Sequence, residues 1–262
     1  MKIALLGYGK MGMAIEKIAL AKGHEIVYKV TFENAYDFMP ISLKNVDVAI
    51  DFSMPTAAVD NILKCFETNT PIVVGTTGWY EQFDEIKAKC IQENQSMIYS
   101  TNFSVGVNLF YKLNKILASM MASFDTYDVT LEEVHHTEKK DHPSGTALSL
   151  AEQIMAEIKT KTHIKERLNY GKEQPSQSVK SHELLIESNR EGDVTGLHKV
   201  KYESMIDSIE IIHDAKSRYG FAKGALMAAE WIVGKQGLYT MDDILNLDEI
   251  INNKIHSQSL NK

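Results

Sequence analysis

Residues 133–147 read EVHHTEKKDHPSGTA, and they are the stretch best equipped for chemistry. Three histidines, His135, His136 and His142, stand beside Lys139 and Lys140 and a Pro-Ser-Gly-Thr turn. Ser144-Gly145-Thr146 leads into a helical pattern. Backbone N–H groups at a helix start, with two hydroxyls, make an anion site suited to a carboxylate. His136 and Lys139 add positive charge, and a His or Lys beside such a site can donate a proton during a reduction. Metal binding is disfavoured, because the adjacent His135 and His136 on a strand point to opposite faces. A third reading, solvated charges in a loop, stays open on residue types alone.

A second pattern lies at the N-terminus. Gly7-Tyr8-Gly9-Lys10-Met11-Gly12 is GxGxxG, preceded by the apolar run KIALL and followed by helical spacing. In that context the first glycine permits a tight turn and the second admits a pyrophosphate. The third lets helix and strand pack closely. The helix N-terminus then faces the phosphates. After the second predicted strand an acid would select NAD by holding the ribose 2′-hydroxyl. Thr31 stands there instead and Glu33 follows two places later, while Lys10 and Lys29 suit a 2′-phosphate. The expected cofactor is NADPH, with NADH allowed.

These groups need a scaffold. Strands are expected over residues 2–6, 25–30, 46–51, 71–75 and 97–100. Helices are expected over 10–22, 56–68 (with Thr56 as cap) and 80–93. Strands alternating with helices at this spacing imply a parallel sheet. Beyond residue 103 the pattern changes. A long helix over 108–123 precedes strand-like runs at 127–135, 182–188, 194–203 and 205–213, the last two separated only by Ser204. A helix over 146–159 interrupts them, residues 160–181 read as a polar loop, 224–233 is helical, and the tail from Asn252 reads as frayed. A mixed or mainly antiparallel sheet follows. The fold class is therefore α/β: a Rossmann-type doubly wound parallel sheet plus an inserted α+β domain with a mixed sheet. Residues 1–103 and 215–262 form the dinucleotide-binding domain. Residues 104–214 form a substrate-binding and oligomerisation domain.

The composition agrees. The chain has 262 residues, 44% hydrophobic and 24% charged, which excludes a disordered chain and a disulfide-stapled miniprotein. Its net charge of −7 argues against nucleic acid as a partner. Cys65 and Cys90 fit no metal or CxxC spacing and read as reduced thiols of a cytoplasmic protein. No apolar run is long enough for a membrane span. Glycines and charges interrupt the N-terminal run, so it does not read as a signal peptide.

Taken together, the blocks GYGKMG (7–12), DFSMP (51–55), GTTGW (75–79), TNFSVGVN (101–108), EVHHTEKKDHPSGTAL (133–148) and AKSRYGFAKGALMAAEW (215–231) resemble the dihydrodipicolinate reductase family. The resemblance covers nearly the whole chain in order. It implies NAD(P)H-dependent reduction of 4-hydroxy-tetrahydrodipicolinate to tetrahydrodipicolinate, in diaminopimelate and lysine biosynthesis. It implies His135 and Lys139 as proton donors and His136, Gly145 and Thr146 as substrate contacts; the helix-start reading adds Ser144. It places Gly75, Thr76 and Thr77, and also Ser100, Thr101, Asn102 and Phe103, along the cofactor near the nicotinamide. No metal is implied, and a homotetramer is. Three departures stand out. Thr137-Glu138 follows the His pair where a basic residue is usual, Thr101 replaces a common Ala, and residues 31–45 leave little room for an adenosine loop. Glu138 would oppose an anionic substrate unless it points outward.

Overall fold

The computed structural model describes residues 1–169 and 178–250. Residues 170–177 of the expected loop, and the tail from Asn252, lie outside the described residues. The chain divides into two compact units, Met1–Val105 with Arg218–Lys262, and Gly106–Ser217.

The first unit alternates strand and helix. In order come β1 (Lys2–Leu6), α1 (Lys10–Ala21), β2 (Glu25–Val30), β3 (Val48–Asp51), α2 (Pro55–Glu67), β4 (Ile72–Val74), α3 (Phe83–Gln92) and β5 (Ser96–Tyr99). Two strands, β1 and β3, are buried runs with little polar relief, as expected of strands covered on both faces. Helix α2 begins one residue earlier than the spacing suggests. Pro55 takes its first turn and Met54 is the N-cap, without a side-chain cap bond, so Thr56 is not the cap. Proline's fixed φ suits that first position. The helix expected over 80–93 divides into a 3-10 turn, Tyr80–Gln82, and α3.

The second unit begins with α4 (Val105–Met121). It continues with β6 (Asp128–His135), α5 (Gly145–Glu157), β7 (His163–Asn169), β8 (Glu183–Arg190), β9 (Leu197–Glu203) and β10 (Ser208–Asp214). The chain returns to the first unit with α6 (Tyr219–Ile232), β11 (Gly237–Tyr239) and α7 (Met241–Leu245). Strand β7 falls in the segment expected as loop. Its side chains are only part-buried, so its sequence lacks a clean alternation, and pairing with β8 makes it a strand. The β9–β10 turn spans residues 204–207, held by the Ser204 N–H donating to Asp207 O at 2.9 Å. Ser204 alone does not make it.

The first sheet runs β11-β5-β4-β3-β1-β2 and all its pairs are parallel. Strand order reverses between β1 and β3, and ligands of open α/β sheets bind in the crevice at such a switch. The second sheet runs β10-β9-β6-β8-β7. β6 pairs antiparallel with β9 and parallel with β8, which makes the sheet mixed. Its helix-covered face packs Val129, Leu131, Leu184, Ile186, Val200 and Tyr202 against α4 and α5. Burial of each such side chain contributes about 1.5–3 kcal/mol.

Candidate active site

In the first unit, the residues at the switch point fit a dinucleotide. Gly7 has φ +94°, and a Cβ there would lie 2.3 Å from Phe52 O. A Cβ at Gly12 would lie 2.5 Å from Gly7 O. At Gly9 a Cβ would meet nothing within 4 Å, so space stays open before the first N–H groups of α1. Gly9 is the N-cap, and no acid sits in the first turn to oppose a phosphate. Tyr8 and Met11 are part-buried beside the turn and Lys10 is exposed.

The β3 end braces the cradle from the other side. Asp51 is fully buried, and its carboxylate accepts from the Ser53 N–H (2.8 Å), Thr76 Oγ1 (2.9 Å) and Asn61 Nδ2 (3.3 Å). Burial raises its pKa, and these donors work against that rise. Asp51 therefore ties the DFS segment to Gly75-Thr76-Thr77. Gly75 lets the Phe52 ring pack against the backbone, since a Cβ there would lie 2.3 Å from that ring and force it to shift. Thr76 is buried and Thr77 exposed. After β5, Ser100 Oγ donates to Asn102 O (2.8 Å) and Asn102 Oδ1 accepts from the Ser104 N–H (2.9 Å). This Asx turn leaves Thr101 exposed and buries Phe103. Gly224 of α6 lies so close that a Cβ would reach 1.7 Å from Phe103 O.

At the end of β2, Thr31 is held by Asn34, whose Oδ1 accepts from the Thr31 N–H at 2.7 Å. Lys29 pairs with Glu16 at 2.5 Å and lies 4.6 Å from the Tyr8 ring centre. Its charge is thus already met by Glu16, which weakens the expected pull on a 2′-phosphate.

In the second unit, alternation along β6 sends Glu133 and His135 to the same buried face as Val129 and Leu131. The cross-strand register sets Glu133 opposite both His198 and Ser188, and His135 opposite Arg190. The face is apolar along most of its length and polar at this end. Glu133 has no exposed surface and Arg190 is 3% exposed. Both Glu133 oxygens accept from the Ser144 N–H at 3.1 Å. His135 Nδ1, His198 Nε2 and Arg190 Nη1 each lie 3.6 Å from the carboxylate. Ser144 Oγ lies 3.1 Å from His198 Nε2 and caps α5 by accepting from the Ala147 N–H at 3.2 Å. The other first-turn N–H groups, of Gly145 and Thr146, are those a carboxylate would meet.

Burial opposes ionisation of Glu133. Contacts from His198 and Ser144 and the charge of His135 outweigh it, and its pKa is held down to about 2. Burial lowers His135 to about 4; Glu133 pulls the other way, and His198, Lys139 and Arg190 add to the lowering. Lys139 Nζ donates to both oxygens of Asp141, at 2.9 and 2.7 Å. Arg190 shapes that turn by donating to Lys139 O (3.2 Å) and Asp141 O (2.8 Å). His136 is part-buried just past the strand. Glu138 is exposed, which removes the conflict with an anionic substrate. His142 pairs with Glu166 at 2.7 Å.

Glu133, His135 and His198 bring possible metal-ligand atoms within 4.8 Å of one another. Ser144 and Arg190 already engage the carboxylate, so the set reads as a charge network. His135 finds its histidine partner on β9 and not in His136.

Residues 1–103 match the family Dihydrodipicolinate reductase, N-terminus, and residues 106–245 match Dihydrodipicolinate reductase, C-terminus. This chain belongs to the dihydrodipicolinate reductase family. It is 44% identical, over 94% of its length and 98% of the relative's, to the 4-hydroxy-tetrahydrodipicolinate reductase of Christiangramia forsetii. To that of Methanoregula boonei it is 35% identical over 80% of its length and 78% of the relative's. A dipicolinate-bound dihydrodipicolinate reductase from a Paenisporosarcina species shares the fold, with a TM-score of 0.70 at 20% identity, over 92% of this chain and 97% of that one. An amine dehydrogenase from Mycobacterium smegmatis, at 10% identity, also aligns over 92% of this chain and 95% of its own, with a TM-score of 0.57.

Within the family fold, every cofactor residue expected from the sequence lies in the first unit, in the turn after β1 and the first turn of α1 and on the loops after β2, β4 and β5. His135, His136, Lys139, Ser144, Gly145 and Thr146 lie in the second. Sequence reasoning passed over Asp51, Glu133, Arg190 and His198. Alternation alone could have placed Glu133 with His135. No local signal links His198 or Arg190 to them. Among the described residues no helix is long and apolar enough to cross a membrane.

Proposed function

We propose that this chain reduces 4-hydroxy-tetrahydrodipicolinate to tetrahydrodipicolinate, with His135 as proton donor and Lys139 as a substrate-carboxylate ligand. The observation that carries the reading is the gathering of His135, Lys139 and the α5 start at one end of one sheet. The hydroxyl leaves with an adjacent ring C–H proton as water, giving a C=C–C=N system. A hydride adds to the carbon that bore the hydroxyl, a proton goes to the ring nitrogen, and the resulting enamine tautomerises to the cyclic imine product. Reduced nicotinamide, when bound, supplies the hydride. Gly7, Gly9, Gly12 and the α1 start hold its pyrophosphate, and the segments at 75–77 and 100–103 flank its ring. On the substrate side, the Gly145 and Thr146 N–H groups take one carboxylate. Lys139 and His136 draw the other. His135 protonates the nitrogen as negative character develops there.

A coupled assay tests this. Pyruvate, aspartate semialdehyde, the upstream synthase and NADPH are mixed, and absorbance is followed on adding the protein. Absence of protein-dependent oxidation with either cofactor refutes the activity. His135, lowered by burial to about 4, is neutral at pH 7 in the free protein. A dianion beside it raises its pKa, so binding takes up a proton. Titration calorimetry with pyridine-2,6-dicarboxylate, in buffers of different ionisation enthalpy, is expected to read up to one proton taken up per site. Proton uptake that persists in His135→Gln assigns it to another group and removes His135 from the pocket.

NADPH is the favoured cofactor and NADH is accepted, because no acid stands at Thr31 and Lys10 is exposed beside the cradle. Thr31→Asp is expected to lower the NADPH/NADH ratio of kcat/KM about tenfold, by repulsion of a 2′-phosphate. An unmoved ratio means the ribose is read elsewhere. The protein is read as cytoplasmic, consistent with two buried free cysteines, and as a homotetramer. A monomer mass by light scattering would refute the assembly.

A further inference from the structure

The substrate-side machinery is held by Glu133, which opens the 133–148 block and has no assigned role in the reaction. We propose that Glu133 is a positioning residue for the reduction: its carboxylate orients the His135 ring through Nδ1 and fixes the start of α5 through the Ser144 N–H, with His198 bracing Ser144 Oγ. The inference rests on the assignment of His135 as proton donor. Three observations support it. Both carboxylate oxygens reach the Ser144 N–H, so one group ties the strand bearing the proton donor to the helix whose N-terminus meets the substrate. His135 Nδ1 is buried without a hydrogen-bond partner, and Glu133 Oε2 lies 3.6 Å from it, within a short adjustment of a hydrogen bond. The opposite nitrogen is kept clear: a Cβ at Gly196 would lie 3.1 Å from His135 Nε2. Glu133 thus faces one ring nitrogen and leaves the other for the substrate.

A carboxylate on Nδ1 selects the neutral tautomer that carries its proton there, and it stabilises the imidazolium. The groups around His135 divide by sign. Glu133, from the same strand, favours the protonated ring. His198 from β9, with ring centres 5.1 Å apart, Arg190 from β8 and Lys139 from the following turn oppose it. Glu133 is the one acid among them, so its loss leaves His135 facing cations and a second imidazole.

Glu133→Gln keeps the shape and removes the charge. It is expected to lower kcat 10- to 100-fold and to move the basic limb of the kcat–pH profile down by about one pH unit or more. Glu133→Asp, which keeps the charge, is expected to retain more of the limb position than of the turnover. In a His135→Gln background, adding Glu133→Gln is expected to cost less than threefold. Wild-type turnover and pH profile in Glu133→Gln, with His135→Gln impaired, overturn the proposal and leave the reductase reading intact. Unimpaired His135→Gln overturns the donor assignment and the proposal together. Should Glu133→Gln not fold, imidazole nitrogen NMR of the wild-type protein decides. A Nδ1–H tautomer at His135 supports the role, and a Nε2–H tautomer overturns it.

Discussion

Replacing His135 with Gln lowers kcat about 100-fold and leaves NADPH affinity within about twofold of wild type. A positioned general acid contributes roughly 10²–10⁴ in rate. A 100-fold loss corresponds to about 2.7 kcal/mol of transition-state stabilisation. The affinity is spared because the GxGxxG cradle and its Asp51 brace belong to a unit with its own sheet and core, while His135 belongs to the other. Gln fits the volume and still offers a polar group to Glu133, which limits collateral disorder in the Glu133–Ser144 link. Steady-state kinetics with the coupled assay gives kcat. Quenching of protein fluorescence by NADPH gives the binding constant. A parallel loss of both would show that the substitution had disturbed the fold and not the proton transfer.

Lys139→Ala raises KM for the substrate about 10- to 100-fold and lowers kcat as well. A charge-assisted hydrogen bond is worth roughly 1.5–3 kcal/mol. The substitution also strands Asp141, which now has Lys139 on both its oxygens. That interaction holds the Asp141 carboxyl below its ordinary value against the opposing effect of burial. Without the lysine, an unpaired carboxylate stands beside a dianionic substrate. The second variant follows: in Lys139→Ala, adding Asp141→Asn recovers part of the lost substrate affinity. Wild-type KM and kcat in Lys139→Ala would remove the lysine from the site. Failure of Asp141→Asn to recover any affinity would show that the loss comes from the missing cation alone.

Local chemistry by itself determined a good deal here. GxGxxG after an apolar run places a phosphate cradle, because glycine spacing, strand length and helix start are all properties of adjacent residues. The PSGT turn reads as a candidate anion site for the same reason, and the structure adds that Ser144 caps α5. Strand β2 and helix α1 lie where the sequence places a strand and a helix. What only the tertiary structure decided concerns groups brought together from distant strands. β7 and β11 are short or weakly patterned, and pairing with β8 and β5 makes them strands. Asp51 becomes the brace of the cradle only because β3 and β4 are neighbours, which sets Thr76 against it. Glu133, His198 and Arg190 meet because β6 lies between β9 and β8. Each residue's alternation can be read along its own strand, but the register that sets His198 against Glu133 and Arg190 against His135 is a long-range fact. A charge on a strand's inner face reads as an exception until its neighbours supply the opposite charge and the donors that let it stay buried.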